Sequence, residues 1–270
     1  MNLKKSGIGI TSLIVLILLT STNWLLLSCG KNEPSPTVEP PTLPPVDPDE
    51  DKSKQELFYK LIRVNNLQGT DKNDFENAAP NIYYSLETNK MITADHLQTR
   101  NWDLAFGGLM NSFISANNGK DSKNYGAGNT ATGGILIVEK EFDEVVDIPN
   151  DSEFHTEKDR YGTDNFGGFG QGVGWYLYDF NGDILRDGSK PFQHVVYPMN
   201  KPWKLNDGKI TPPRTTVIRT AKGSYAKLRI LSLYKDRLDS TGWRRDAPKV
   251  FFTFEYVMVP KGSKKFEIKK

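Results

Sequence analysis

Histidine, cysteine and methionine are the nitrogen and sulfur side chains with which this chain of 270 residues could ligate a transition metal, and it has few of them. Histidines stand at His96, His155 and His194, the single cysteine is Cys29, and no methionine occurs between Met110 and Met199. An isolated histidine is more often satisfied by water or a carbonyl than by a metal, so spacing has to supply the case for a site. It supplies none for catalysis. Asp179-Phe180-Asn181-Gly182-Asp183 opens like a calcium loop, but its glycine comes one place early and its twelfth position is Lys190 where a bidentate glutamate is needed. A hairpin turn at Asn181-Gly182 explains it better. Gly167-Gly168-Phe169-Gly170-Gln171-Gly172 lacks the spacing and the flanking strand and helix of a dinucleotide loop, and the chain contains no G-x-S-x-G, P-loop or H-E-x-x-H. The expectation is therefore of a protein that is not an enzyme, with paired carboxylates for glycoside hydrolysis left open because spacing in sequence says nothing of separation in space.

The elements that must position such residues read as strands. Thr215 to Asp236 gives two strands about a turn at Lys222-Gly223, with Ala226, Leu228 and Ile230 alternating with Lys227 and Arg229. That period of two makes one face apolar and one basic. Ile82 to Leu86, Asn101 to Phe106, Phe113 to Ser115 and Ile135 to Val138 read as further strands. So does Val250 to Val259, which places Val250, Phe252, Phe254, Tyr256 and Met258 on one face. Leu57, Phe58, Leu61 and Ile62 share a helical face, which predicts a short helix before Asn65. Asp147 to Gly174 is glycine-rich and poor in strand signals, so it is expected as a long surface excursion of the kind that often carries function. The fold class that follows is all-β, predominantly antiparallel, with long loops and few helices.

The N-terminus organises the chain into segments. Lys4 and Lys5 precede a largely apolar stretch from Ile8 to Leu27, which ends in Leu26-Leu27-Ser28-Cys29. This resembles a bacterial lipobox, in which a small residue precedes the cysteine that becomes acylated. The expected organisation is a signal peptide over 1–28, a lipidated Cys29 with a proline-rich tether over 29–53, and a single β domain over 54–270. An uncleaved membrane anchor is the alternative for the apolar stretch. The tether has too few large apolar residues to pack. With Cys29 acylated the domain has no thiol for disulfides or metals. Removal of Lys4 and Lys5 leaves the formal charge balanced, so electrostatics gives no case for nucleic acid, and attachment to a membrane would run through the lipid alone.

Five segments, in order, resemble the HmuY family of Bacteroidetes lipoproteins. They are Tyr84-Ser85-Leu86; Asn101-Trp102-Asp103-Leu104-Ala105-Phe106 with Asn117-Asn118-Gly119; Gly174-Trp175-Tyr176-Leu177-Tyr178; His194-Val195-Val196-Tyr197-Pro198; and Val217 through Leu228. The resemblance covers most of residues 80 to 260. It implies an HmuY-like β fold, and capture of haem at the cell surface or outer membrane for delivery to an outer-membrane receptor, of the TonB-dependent class. It also implies axial ligands for the iron, apolar walls for the macrocycle and cations for the propionates.

By position His194 matches one of the two axial histidines of that family. The other lies between the Ile135–Val138 strand and Trp175, where His155 is the only imidazole; Met199 is the weaker substitute. Tyr161, Phe166 and Phe169 are the expected walls, and Arg214, Arg219 and Lys227 the cations. His96 and Trp102 read as structural, Trp102 because it sits in an alternating strand. Two readings from other classes stand beside this one. If Trp175, Trp203 and Trp243 are exposed together, they would stack sugars in a glycan-binding surface lipoprotein. A structural or adhesive module would hold no small ligand at all.

Overall fold

A computed structural model describes residues 56–69 and 80–269, so the lipobox, Cys29 and the tether lie outside the described residues. Eleven strands follow one another in it. They are β1 (Leu61–Gln68), β2 (Ile82–Ser85), β3 (Lys90–Ile92), β4 (Leu104–Gly107), β5 (Phe113–Ala116), β6 (Gly134–Val138), β7 (Tyr176–Asp179), β8 (Val195–Pro198), β9 (Thr215–Arg219), β10 (Tyr225–Tyr234) and β11 (Lys249–Val259). Helical structure among the described residues is limited to five three-residue 3-10 turns. One sheet has the order β1-β11-β10-β9-β6 and a second β3-β2-β4-β5, while β7 and β8 form a two-stranded sheet. Every pair is antiparallel. The protein is all-β, as its alternation predicts.

The two larger sheets meet through aromatic side chains that the period of two turns inward. Tyr84 of β2 meets Phe254 of β11 at 5.5 Å between ring centroids, and Phe106 of β4 meets Phe252 at 4.3 Å. Val250, Phe252, Phe254, Tyr256 and Met258 all enter this core with Ala226, Leu228 and Ile230. The other face of β10 is covered as well. Lys227 is buried there, donating to the carbonyls of Phe142 (2.7 Å) and Val145 (2.9 Å), with its ammonium over the Phe142 ring. The basic stripe expected on that face is therefore partly an internal one.

Two departures from the sequence pattern have clear causes. Leu57 to Ile62 forms no helix: Phe58 bridges Met258 and β1 pairs with β11 from Leu61↔Val257 onward. Two helical turns of apolar spacing are worth little against a ladder that satisfies the long β11 edge. The segment 147–174 is tied down by single bridges, His155 to Ile135, Tyr161 to Ile114 and Thr163 to Tyr176, and it buries Phe154, Tyr161 and Asp164.

One buried polar junction locks the β9–β10 turn to the second sheet. Asp103 is fully enclosed, and its carboxylate accepts from the backbone N–H of Leu86 (2.8 Å) and of Ala221 (3.0 Å). Beside it Glu87 accepts from the Thr220 hydroxyl at 2.8 Å and lies 3.6 Å from the Lys222 ammonium. Burial first, and the Glu87 charge second, push Asp103 up to about 7.

Candidate functional site

A cavity of about 300 Å³ opens where the three sheets converge. The β7–β8 ladder makes one wall. Tyr178 pairs with Val196, so alternation directs Tyr176, Tyr178 and Val196 to the cavity while Leu177 and Tyr197 enter the core. Leu233 of β10 and Val250 of β11 add an apolar floor, and the β4–β5 connection brings Met110 and Phe113. The glycine-rich stretch supplies Phe169. Such a cavity is at the small end of those that take ligands. A second one of about 600 Å³ adjoins it and shares Phe113, Thr163 and Phe169, so Phe169 forms part of the partition. Phe169 is 73% exposed.

His194 stands at this cavity immediately before β8. Its Nδ1 lies 2.8 Å from Tyr178 Oη, and Phe180 packs edge-on to the imidazole at 4.8 Å. Burial, followed by the nearby charges of Arg245 and Lys249, lowers its pKa and favours the neutral ring. Burial raises the Tyr178 hydroxyl, which therefore keeps its proton. In the tautomer with its proton on Nδ1, the imidazole donates to Tyr178 Oη and leaves the Nε2 lone pair for a ligand, an arrangement common behind metal-bound histidines.

The backbone singles out the same place. Among the described residues nine non-glycine positions have positive φ, and five of these are Asn or Asp, which tolerate it. The other four are Tyr59, Met110 (φ 53°), Phe169 (φ 64°) and His194 (φ 58°), and the last three line this cavity. A left-handed bulky residue costs about 1–2 kcal/mol, and such strain gathers at ligand sites where the surroundings enforce it. Near Met110 the enforcement is visible. Asn111 Nδ2 donates to the carbonyls of Pro80 (2.7 Å) and Phe106 (3.2 Å), and Gly108 precedes at φ 66°.

The remaining expected residues are distributed differently. His155 lines the second cavity with Tyr161, where Arg160 approaches its Nε2 at 3.2 Å and Glu157 its Nδ1 at 3.8 Å. The structure does not bring it to the cavity of His194. Met199 has no exposed surface and packs in the main core, because its alternation with Tyr197 carries it inward; it lines neither cavity. Phe166 packs against that core and also lines neither. Arg214 is buried against Asp164 at 2.8 Å, Arg219 pairs with Asp151 at 2.8 Å and Lys227 donates to the Phe142 and Val145 carbonyls, so all three expected propionate partners are engaged elsewhere. Trp102 lies in a core cluster and His96 on an exposed 3-10 turn. Trp175 and Trp243 are buried, and the three indole N–H groups of Trp175, Trp203 and Trp243 donate to the backbone carbonyls of Ser112, Pro198 and Arg237. They build packing, not the stacking platform that a glycan-binding reading requires. The sequence pattern missed Met110 and Lys249 at the cavity; the Gly107-Gly108 pair ahead of Met110 was the one local sign of unusual backbone there.

Lys249 lies at the cavity and donates to the Arg245 carbonyl, and its pKa is lowered by burial and then by the Arg245 charge. Arg245 in turn reaches Gln193 Oε1 at 3.4 Å. The cavity thus brings together apolar walls, a neutral imidazole, a thioether and the Lys249 ammonium. Comparison with known families then places the chain: the model of the HmuY protein family matches residues 77–245, and the chain belongs to that family. Solved structures that the chain matches include the apo HmuY analogue of Tannerella forsythia, at 14% identity over 75% of this chain and 98% of that one, with a TM-score of 0.33. A protein described as HmuY-like and haem-binding, from Bacteroides vulgatus, is 13% identical over 75% of this chain and 93% of its own, with a TM-score of 0.29. A comparison with curated proteins finds no significant match.

Proposed function

We propose that this protein binds haem in the cavity beside His194, as a lipid-anchored surface protein that captures haem and passes it to an outer-membrane receptor of the TonB-dependent class. The observation that carries the reading is the imidazole of His194, kept neutral, backed by Tyr178 and directed to an apolar cavity. Imidazole and thioether are common axial donors to haem iron, so the donor set suits the group. Tyr176, Tyr178 and Phe169 would flank the macrocycle, and Lys249, which lines the cavity, would be a cation for a propionate. Tyr161 belongs to the adjoining cavity and would serve only a ligand that reaches past Phe169. Bound haem would supply the visible absorbance by which the site is tested. Membership of the HmuY family supports the same reading. The proposed organisation remains a signal peptide over 1–28, acylation at Cys29, a tether over 29–53 and one β domain over 54–270. Anchoring follows from the lipid, and among the described residues no helix is long and apolar enough to cross a membrane.

The test is a titration of the protein with ferric haem, wild type beside His194→Ala. A sharpened Soret band with low-spin visible bands is expected for the wild type and is lost in the variant. A wild-type spectrum identical to that of free haem would end the reading.

A further inference from the structure

We infer that Met110 is the second axial ligand, its thioether acting with the His194 imidazole on one iron; the inference rests on the haem reading above. The chain has five methionines, and four are accounted for otherwise. Met199 and Met258 have no exposed surface, Met91 stands exposed on β3 outside the cavity, and Met1 lies outside the described residues. Met110 alone among the described methionines lines the cavity of His194. The two residues approach it from different sheets, Met110 from the β4–β5 connection and His194 from the connection that enters β8.

Both are held there in left-handed backbone, by the Gly108 and Asn111 contacts on one side and by the Nδ1 contact to Tyr178 on the other. Simple packing would not require a methionine in that conformation; glycine or asparagine would hold the turn at lower cost. His155 lies at the adjoining cavity with its Nε2 facing Arg160, and the Lys249 side chain, as an ammonium donating to the Arg245 carbonyl, offers no lone pair to iron. A thioether is also the softer donor, and one thioether with one imidazole holds haem at a higher potential than two imidazoles do.

The experiment is a haem titration of the purified full chain, as wild type, Met110→Leu, Met110→His and His194→Ala, with visible spectra and reduction potentials for each. Leucine keeps the bulk and apolar character of Met110 and removes only the sulfur. The expected result is a low-spin ferric spectrum with the thioether-to-iron charge-transfer band in wild type, loss of that band in Met110→Leu, and a shift to lower potential in Met110→His. If wild type binds haem through His194 but Met110→Leu leaves spectrum and potential unchanged, the assignment of Met110 is overturned while the haem reading stands. If wild type gives only the spectrum of free haem, both fall.

Discussion

The two ends of this molecule treat polar and strained groups in opposite ways. At the β9–β10 turn, Asp103 and Glu87 are enclosed, and the backbone donors of Leu86 and Ala221 and the Thr220 hydroxyl point at them. At the cavity the groups are half-buried, apolar or singly partnered, and three bulky residues sit in left-handed backbone. The first arrangement lowers the energy of one fold, and the second stores energy that only a ligand or the surrounding packing can justify. Two of the recognisable segments, Asn101 to Phe106 and Val217 to Leu228, meet at the first end, where their shared residues serve the fold. At the other end the recognisable segments contribute the β7–β8 ladder and His194, but not Met110, Phe169 or Lys249. Membership of the family is therefore written mostly in residues that hold the sheets together, while Met110, Phe169 and Lys249, which also line the cavity, lie outside those segments.

The largest expected effect breaks the well-satisfied end. Asp103→Ala strands the buried N–H groups of Leu86 and Ala221, and at about 1–3 kcal/mol for each unsatisfied group the total loss should be roughly 2–6 kcal/mol. Chemical denaturation would show this as a lower midpoint at unchanged slope. If the midpoint does not move, the junction is not a fold determinant.

The same carboxyl sets a pH dependence. Its pKa is pushed up to about 7 in the folded protein from an ordinary 3.8, so between those values the native state holds a proton that the unfolded chain releases. Stability from this group is therefore greatest at acid pH, declines as pH rises from about 4 to about 7, and is flat above that. Asp103→Asn, permanently neutral, should remove this slope from a plot of unfolding free energy against pH. An unaltered slope would assign the pH dependence to other groups.

How much of this could be read from the sequence depended on whether the interaction was local. The β9–β10 hairpin was legible because alternation and Gly223 state it within twenty residues. The strand β1 was not, since its partner β11 lies far along the chain and the spacing of Leu57 to Ile62 happens to fit a helix. His194 was reached through the resemblance of its segment. Met110 was not, because a cavity is made by chain segments that meet only after folding. For the same reason Trp175, Trp203 and Trp243 read equally well as a platform or as core.

A smaller effect should appear at the strained end with the opposite sign. Phe169 is largely exposed, so replacing it sacrifices little burial, while Phe169→Asn relieves part of a left-handed strain of about 1–2 kcal/mol. Thermal unfolding should show the variant unchanged or stabilised by up to about 1 kcal/mol, and haem titration should show weaker binding. A variant both less stable and equally able to bind would mean that Phe169 belongs to the fold and not to the site.

The smallest expected effect concerns charge at the cavity. Lys249 is half-buried with Arg245 close by, so the two cations repel, and a propionate placed between them would relieve that repulsion. Lys249→Gln removes one attraction at a partly solvated position, where such a pair is worth about 0.2–1 kcal/mol. Haem affinity should fall only a few-fold, with a shallower dependence on salt than in wild type. The salt dependence is the sharper observable, because a change in packing alone would leave it as it was. If Lys249→Gln and wild type weaken in parallel as salt is added, the acidic end of the ligand points away from Lys249 and towards the adjoining cavity, where Arg160 and His155 stand.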